Sequence, residues 1–481
     1  MDIRPLLLVV GFLLTTLGLA MLIPAVADLA VGHEDWQVFL AASFSTSFIG
    51  ASLAIANRGA SRALNSRQAF LLIVMTWVVI ALFGSLPFLY ADLDLDFTDA
   101  FFEAMSGVTT TGSTVLTGLD DAPPGILLWR ALLQWMGGIG IIVMAVAVLP
   151  MLQIGGMQLF RLESSDTSEK ILPRAAQISG ALMILYGTIT LLCITALWAA
   201  GMPLFDAIAH AMTTVATGGY STSDGSIGHF DSALIESVVV LFMIVGSLPF
   251  VLYLQLIRGR PLALWRDSQV RWFFAILLSA IAGLTAFRAG IGDVGVFTAL
   301  REVSFNLVSI MTGTGYATED YNAWGGFAVG VFFLIMFVGG CAGSTSCGVK
   351  IFRIQVLFEN AQSQVRKLVQ PHGIHTPHFN GKPIPPSISD AVMHFFFLFF
   401  LCFIGLALCL SAFGLDFITA ASAAGTALAN VGPGLGEIVG PAGTFQTLPD
   451  GAKWFMTLGM LLGRLELLGV LILLNPSFWR G

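Results

Sequence analysis

The stretch "SGVTTTGSTVL", Ser106–Leu116, lies between two long apolar segments but has no sustained apolar run of its own. Three similar tracts appear when the sequence is aligned on a central glycine. "SGVTTTGST" around Gly112 matches "TTVATGGYS" around Gly219, "SIMTGTGYA" around Gly315 and "TALANVGPG" around Gly432. A tract that recurs four times indicates an internal repeat, and this repeat decides the fold.

Two further features accompany each glycine. A hydroxyl residue stands at the same distance before it, and these residues are Ser106, Thr213, Ser309 and Thr426. Each tract also follows a segment of about twelve residues, such as "DAFFEAMSGVTT" or "DAIAHAMTTVAT", which is apolar enough to be buried but too short to cross a bilayer. That length predicts a re-entrant half-helix before each tract.

The composition identifies an integral membrane protein. The 481 residues are 56% hydrophobic and only 11% charged, whereas soluble domains are about 25% charged. Apolar runs predict ten spans, with the first kept as a helix of the mature chain: Pro5–Ala27, Trp36–Asn57, Leu71–Tyr90, Ala131–Phe160, Ala175–Phe205, Ser237–Ile257, Trp272–Phe287, Tyr321–Val349, Ala391–Leu415 and Trp454–Asn475. The five cysteines have no zinc-type spacing, so we expect them to be packing residues.

The repeat predicts a pore. Each repeat contains two crossings, so the chain returns to its starting side and all four tracts open toward the same face. Irregular backbone at membrane depth is tolerated only where it is buried in protein or lines a water-filled cavity. We therefore expect an all-α polytopic membrane protein with four tandem helix–pore helix–helix repeats in pseudo-fourfold arrangement around a central pore, plus two extra N-terminal transmembrane helices. The expected units are residues 1–66 for the two additional helices and 67–160, 161–260, 261–370 and 371–481 for the four repeats.

Charged loops predict the orientation. "NRGASRALNSR" and "RGRPLALWRDSQVR" fall on the same side as both chain ends when ten spans are threaded, and the positive-inside bias makes that side the cytoplasm. The opposite side receives acidic segments such as "ADLDLDFTD". An acidic outer face raises the local cation concentration. The alternative interpretation is that these segments are ordinary solvated loops with no role in attracting cations.

The four tracts resemble the pore loops of the TrkH/KtrB/HKT superfamily of potassium transport proteins, and the resemblance covers nearly the whole chain. The two additional N-terminal spans resemble its TrkH branch. The resemblance implies a single-chain pore with potassium-channel-like filters in a bacterial inner membrane. It also implies a homodimer and control by a cytoplasmic nucleotide-binding subunit, TrkA. It implies no bound cofactor, only the potassium ion as substrate, and no nucleic-acid partner.

Carried over position by position, the resemblance places a potassium-binding filter at twelve residues. They are Thr110, Thr111 and Gly112; Thr217, Gly218 and Gly219; Gly313, Thr314 and Gly315; and Asn430, Val431 and Gly432. The fourth tract has Pro433 where the second and third have Tyr220 and Tyr316. We therefore expect looser selectivity than in a symmetric filter.

The last span carries Arg464 and Glu466 near its middle, where an arginine costs at least ~2.5 kcal/mol and normally faces a cavity or a partner. The two residues do not share a helix face, so Arg464 needs another partner. The segment "VGGCAGSTSCGVK", Val338–Lys350, is too rich in glycine and hydroxyl residues for a continuous helix and resembles the intramembrane gating loop of TrkH proteins. We expect a gate that comprises Gly339, Gly340, Gly343, Ser344, Thr345, Lys350 and Arg464. The alternative is a glycine-rich helix packed closely against a neighbour.

Weaker signals complete the interpretation. His372, His375 and His378 lie among prolines, which favours a cytoplasmic turn over a metal-binding helix. We expect His210 to be a packed pore-helix residue and Arg130 to pair with Asp120 or Asp121 at the outer surface. An intramembrane enzyme that uses His210, Asp206 or a cysteine pair is disfavoured because the repeat brings no nucleophile, base and orienting group together.

The sequence thus predicts potassium uptake through a filter-containing pore that is gated by an intramembrane loop and a regulatory subunit. A potassium symporter coupled to protons or sodium on the same scaffold is the alternative.

Overall fold

The computed structural model describes residues 2–60, 64–144, 171–291 and 294–480. The helices in the first half of the chain are α1 (Arg4–Ala20), α2 (Leu22–Val31), α3 (Trp36–Ala56), α4 (Ser66–Gly84), α5 (Leu86–Tyr90), α6 (Phe97–Val108), α7 (Pro124–Val143), α8 (Ile171–Ala199), α9 (Leu204–Val215), α10 (Ala233–Ser247) and α11 (Phe250–Ile257). The second half contains α12 (Ala263–Arg266), α13 (Ser268–Ile291), α14 (Val296–Thr312), α15 (Gly326–Ile335), α16 (Ile351–Val369), α17 (Pro386–Ala412), α18 (Phe417–Ala429), α19 (Asp450–Arg464), α20 (Leu468–Leu471) and α21 (Pro476–Arg480). Within the described ranges, short 3-10 turns cover Leu119–Asp121, Ser226–Phe230, Tyr321–Trp324 and Ile472–Leu474.

Seven helical stretches in the described ranges are long and apolar enough to cross a membrane. Two more candidates are broken spans: α10 and α11 meet at 94°, and α19 meets the segment Leu468–Leu474 at 107°. The predicted span Tyr321–Val349 differs from a full crossing. Its only α-helix is α15, and these ten residues are followed by irregular backbone. Residues 145–160 of another predicted span, and Arg62, lie outside the described residues.

The four predicted half-helices are α6, α9, α14 and α18, with 12, 12, 17 and 13 residues. Two of them start at an aspartate whose side chain accepts backbone N–H groups of the first turn, Asp96 for α6 and Asp416 for α18. Such N-caps satisfy donors that a helix start leaves unpaired. Each half-helix is buried along its C-terminal part, and in α18 every residue from Thr419 to Ala429 is buried. The half-helices therefore lie inside the molecule.

The longer helices surround this interior. In α4, α13 and α17 fewer than a third of the residues are buried and the rest are half-buried or exposed, whereas α7 is mostly buried. Exposed apolar surface of this extent is what a lipid-facing ring of helices presents. The result is an outer set of spanning helices around an inner set of half-helices.

The additional N-terminal helices form a close pair. A Cβ atom on Gly11, Gly18 or Gly50 would come closer than 3.0 Å to the opposite helix of α1 and α3. Small residues permit such backbone approach within a membrane. Asp28 in α2 is buried and accepts a hydrogen bond from the backbone N–H of Gly125 at the start of α7, which fixes the pair against the first repeat.

The only strands in the described residues are β1 (His378–Phe379) and β2 (Lys382–Pro383), which form a small antiparallel hairpin between α16 and α17. The sequence predicts a turn here, and the structure adds this pairing. His378 lies in β1, not on a helix, so the three histidines do not share the helix face that a metal-binding interpretation requires.

Candidate functional site

The four glycine tracts adopt the same local backbone. In each tract the glycine and the residue two positions before it have positive φ. The pairs are Thr110 (52°) and Gly112 (87°), Thr217 (50°) and Gly219 (78°), Gly313 (72°) and Gly315 (86°), and Asn430 (52°) and Gly432 (110°). Positive φ is uncommon outside glycine, so its recurrence at eight matched positions is strong evidence that the tracts are structural equivalents.

The hydroxyl positions also have a shared role. The backbone N–H of the residue before each glycine donates to the carbonyl of the hydroxyl residue at the end of the half-helix. These bonds are Thr111 to Ser106 (2.9 Å), Gly218 to Thr213 (2.8 Å), Thr314 to Ser309 (2.9 Å) and Val431 to Thr426 (3.1 Å). This is the pattern with which a left-handed residue ends a helix. Each half-helix therefore points its C-terminal end at its tract.

The four tracts meet in a closed ring. A Cβ atom added to Gly112 would lie closer than 3.0 Å to the carbonyl oxygen of Gly218. The same relation links Gly219 to Thr314, Gly315 to Val431, and Gly432 back to Thr111. The order of neighbours follows the chain and closes on itself, and none of the four glycines has space for a side chain.

Side chains behind the ring hold two tracts in place. Gln134 of α7 donates to the Gly218 carbonyl (2.6 Å) and accepts from the Tyr220 N–H (3.0 Å). Its side-chain amide therefore bonds to the backbone of the second tract in the way that a neighbouring β-strand does. Asn430 donates to the Thr111 hydroxyl (2.9 Å) and to the Met460 carbonyl (2.9 Å). Both amides are fully buried.

The prediction for Arg130 is wrong. Arg130 is 1% exposed and donates to Glu103 of α6 at 2.8 Å and to the Ser221 carbonyl at 2.7 Å, instead of pairing with Asp120 or Asp121. Its guanidinium also lies 4.0 Å from the ring centroid of Tyr220. A buried arginine needs a buried carboxylate, and the half-helix supplies one. This ion pair braces the segments that follow the first and second tracts.

His210 is a packed pore-helix residue, as predicted. Its ring nitrogens contact the Asp206 carbonyl (2.9 Å) and the Ser221 hydroxyl (3.0 Å), and the side chain is fully buried. Across the described ranges, no group of three or more His, Cys, Asp or Glu side chains is arranged to hold a metal ion.

The segment Val338–Lys350 is non-helical, as its composition predicts. Its two ends pair with each other through a parallel bridge between Val338 and Val349. Between them, Gly343 has a φ of 78°, and its carbonyl accepts from the Phe250 N–H at 3.0 Å. We call this segment the intramembrane loop. It packs into the break between α10 and α11.

The intramembrane loop contacts the ring of tracts directly. The Thr345 hydroxyl donates to the Val215 carbonyl at the end of α9 (3.0 Å) and accepts from the hydroxyl of filter residue Thr217 (3.3 Å). Ser344 and Gly340 stabilise the loop internally, through bonds to the Cys341 carbonyl (2.6 Å) and the Ser346 hydroxyl (2.8 Å). The loop therefore lies at the half-helix end of the ring.

Arg464 holds the intramembrane loop, as predicted. Its guanidinium donates to the Gly137 carbonyl of α7 at 2.8 Å and to the Thr345 carbonyl at 3.4 Å, and it contacts the Cys347 sulfur. Lys350 is also buried and donates to the Ser346 carbonyl. Arg464 thus links α19, the inner helix of the first repeat and the loop.

No sequence pattern indicates the partner of Glu466. α19 ends at Arg464, and the positive φ of Glu466 (55°) turns its carboxylate toward Arg353 of α16 at 2.5 Å. The two residues are 113 positions apart, so no local spacing could reveal the pair. Its effect is to join the broken last span to the helix that follows the loop.

The ring, its half-helices and the apolar outer helices define a polytopic membrane protein of the cation-transport class. A family model described as TrkH, a cation transport protein, matches residues 35–480. The chain belongs to the TrkH family, which confirms the resemblance found in its pore tracts.

Similar proteins cover the full chain. It is 46% identical over 478 residues to the Trk system potassium uptake protein TrkI of Halomonas elongata, with 99% of this chain and 97% of that protein aligned. It is 38% identical to the Trk system potassium uptake protein TrkH of Salmonella typhimurium over 100% of both chains. The crystal structure of the potassium transporter TrkH from Vibrio parahaemolyticus matches with a TM-score of 0.92 at 38% identity and covers 100% of both chains.

Proposed function

We propose that this chain carries potassium ions through the ring formed by its four tracts. The filter comprises the twelve residues named above, two left-handed residues in each tract with one residue between them. The observation that supports this proposal is the closed order of glycine–carbonyl neighbours, because a backbone oxygen of each tract lies close to the glycine of a neighbouring tract. The relatives support potassium as the ion, since they are named as potassium uptake proteins.

The physical mechanism requires no covalent chemistry. Backbone carbonyl oxygens replace the hydration shell of the ion, and the negative C-terminal ends of four half-helices add to the attraction. In a bacterial inner membrane with both chain ends in the cytoplasm, the membrane potential drives inward flux with ~2.3 kcal/mol per charge per 100 mV.

A reconstituted assay tests the pore. Replacing Gly315 with Ser in liposomes should abolish most potassium flux, because the Cβ collides with the Val431 carbonyl. Gly201→Ser is the matched control, since Gly201 has a φ of 99° but no atom within 4 Å of the added Cβ. Equal flux in both variants would overturn the proposal. A reversal potential that follows a proton or sodium gradient would show coupled transport instead.

We also propose that the intramembrane loop is the gate and that Arg464 keeps it closed. The gate residues are Gly339, Gly340, Gly343, Ser344, Thr345 and Lys350, together with Arg464. The contact between Thr345 and Thr217 supports this role, because a segment that touches the filter end can block it. Regulation by a TrkA-like nucleotide-binding subunit and assembly as a homodimer complete the proposal, with the chain divided into four repeats as the sequence predicts.

Arg464→Ala tests the gate. Without the guanidinium the loop loses its hydrogen bond to α19, and α19 loses its hydrogen bond to α7. Resting rubidium flux in the absence of any other protein should therefore rise several-fold. Arg480→Ala, at the end of the chain and exposed, is the control. Unchanged or lower flux in folded Arg464→Ala protein contradicts the gate.

A further inference from the structure

A helix outside the ring also holds the intramembrane loop. Gln269, in the first turn of α13, accepts a hydrogen bond from the backbone N–H of Ala342 at 3.0 Å. Gln269 is 1% exposed, and Ala342 is buried as well. A buried N–H that loses its acceptor keeps the full penalty of desolvation, so this single bond matters for the position of the loop.

The start of α13 is itself held by two polar side chains, Asp267 and Asn380. Asp267 caps the helix by accepting from the N–H groups of Gln269 (2.8 Å) and Val270 (3.3 Å). Asn380 donates to the second oxygen of Asp267 (3.3 Å) and accepts from the N–H of Ser268 (2.8 Å). One asparagine therefore binds both the cap and the first residue of the helix that carries Gln269.

Asn380 lies at the tip of the β1–β2 hairpin. It and Gly381 have φ values of 47° and 75°, and consecutive left-handed residues define the tight turn that matches the twist of a hairpin. Phe379 is 2% exposed and belongs to the same apolar cluster as Phe352 and Val356 of α16, whereas Lys382 on the other strand is exposed. The hairpin thus has one face in the protein core and one face accessible from outside.

The same helix start also touches the chain that leaves the loop. The Ser268 hydroxyl donates to Gln355 of α16 at 3.1 Å. The first two residues of α13 therefore contact the loop at Ala342 and the helix that follows it at Gln355. A shift of α13 at its start would act on both sides of the loop together.

We propose that Gln269 is a positioning residue that keeps the intramembrane loop under the ring, and that the hairpin tip controls it through Asn380 and Asp267. This inference rests on the proposed gate. It identifies the hairpin as a point where a bound regulator can release the loop without touching it: displacing Asn380 loosens the cap, and the loosened helix start withdraws Gln269 from Ala342.

The test measures resting rubidium flux of the full-length chain in liposomes that contain no other protein. Gln269→Met keeps the size of the side chain but removes the acceptor, and flux should rise about fivefold, the shift expected for one hydrogen bond. Gln269→Glu, buried as the neutral carboxylic acid, retains an acceptor oxygen and should stay near wild type. Gln37→Met, an exposed site at the start of α3, is the control for the substitution itself.

Asn380→Gly tests the hairpin at this half-buried position, because glycine removes the side chain but adopts the left-handed backbone conformation freely. It should raise flux in the same direction, and the double variant with Gln269→Met should show no further increase, because both changes break one route. If the flux increases of the two single variants multiplied in the double variant, the proposed connection from the hairpin through Asp267 to Gln269 would be wrong. If flux rose in Arg464→Ala but stayed at the wild-type level in Gln269→Met, the positioning role of Gln269 would be rejected and the proposed gate would stand. If flux rose in neither variant, the proposed gate itself would be rejected.

Discussion

Glu103 and Arg130 show how a charge pair can be accommodated inside the membrane-embedded part of this protein. Both side chains are almost fully buried, and the carboxylate also accepts from the Thr114 hydroxyl (3.0 Å) and the Val115 N–H (3.0 Å). Burying an ion pair is expensive, and the expense is offset only when the remaining hydrogen-bonding positions are filled. Here residues that follow the first tract fill these positions, so the ion pair orders the segment that leaves this tract.

Removing one partner should be worse than neutralising both. Arg130→Met leaves Glu103 charged and unpaired, and we expect it to lower the free energy of unfolding by ~3–5 kcal/mol. Glu103→Gln combined with Arg130→Met keeps an acceptor for Val115 and should recover part of that loss. Thermal unfolding in detergent checks the order.

Arg4→Met, at an exposed position in α1, is the control and should change stability by less than ~0.5 kcal/mol. A double variant that is less stable than Arg130→Met would contradict the buried-charge explanation.

The intramembrane loop depends on close backbone approach at one glycine and on backbone conformation at another. A Cβ on Gly339 would lie closer than 3.0 Å to the Cys347 carbonyl, where the two ends of the loop meet. Gly343 has positive φ but nothing within 4 Å of an added Cβ. A substitution at Gly339 therefore tests steric collision, whereas a substitution at Gly343 tests backbone strain alone.

Gly339→Ala should open the gate more than Gly343→Ala does. The first variant cannot keep the ends of the loop together, whereas the second adds only the left-handed penalty of about 1–2 kcal/mol. Resting rubidium flux should rise in both, with the larger rise in Gly339→Ala. Equal increases would mean that strain alone governs the loop.

The half-helices, the tracts and the irregular loop were predictable because their signals are local. A glycine at a fixed spacing after a hydroxyl residue predicts the end of a half-helix. Four tracts with this pattern predict a ring. The pairs that join these parts were not predictable: Glu103 and Arg130 are 27 positions apart, and Arg353 and Glu466 are 113 apart. Only tertiary packing brings such residues together, and the error over Arg130 arose from assigning it to the nearest acidic residues in sequence.

Around the ring, the junctions between repeats are not equivalent. The residue after each of the first three glycines reaches the preceding repeat: the Ser113 hydroxyl donates to the Gly432 carbonyl (2.8 Å), the Tyr220 hydroxyl to the Glu103 carbonyl (2.8 Å), and the Tyr316 hydroxyl bonds with Thr213. Pro433 occupies the fourth position and has no donor; it lies against Gly315. At this position three of the four junctions therefore have a hydrogen bond, whereas Pro433 makes an apolar contact at the fourth.

These junctions should control selectivity more than stability. Tyr220→Phe and Tyr316→Phe each remove a hydroxyl that bonds to the preceding repeat while the ring stays packed. A loosened ring discriminates less well between ions of different size. We expect the permeability ratio of potassium to sodium to fall about fivefold for each, the shift that one hydrogen bond supports. Reversal potentials with potassium on one side and sodium on the other measure the ratio.

Tyr253→Phe is the matched control for these two variants, because its hydroxyl donates to the Val245 carbonyl (2.8 Å) within one repeat. It removes an equivalent bond but leaves every junction intact, so its permeability ratio should equal that of the wild type. If all three variants changed the ratio alike, the effect would come from general loss of packing. If only Tyr253→Phe changed it, bonds between repeats would not set the size of the ring, and the control of selectivity would have to lie within the tracts themselves.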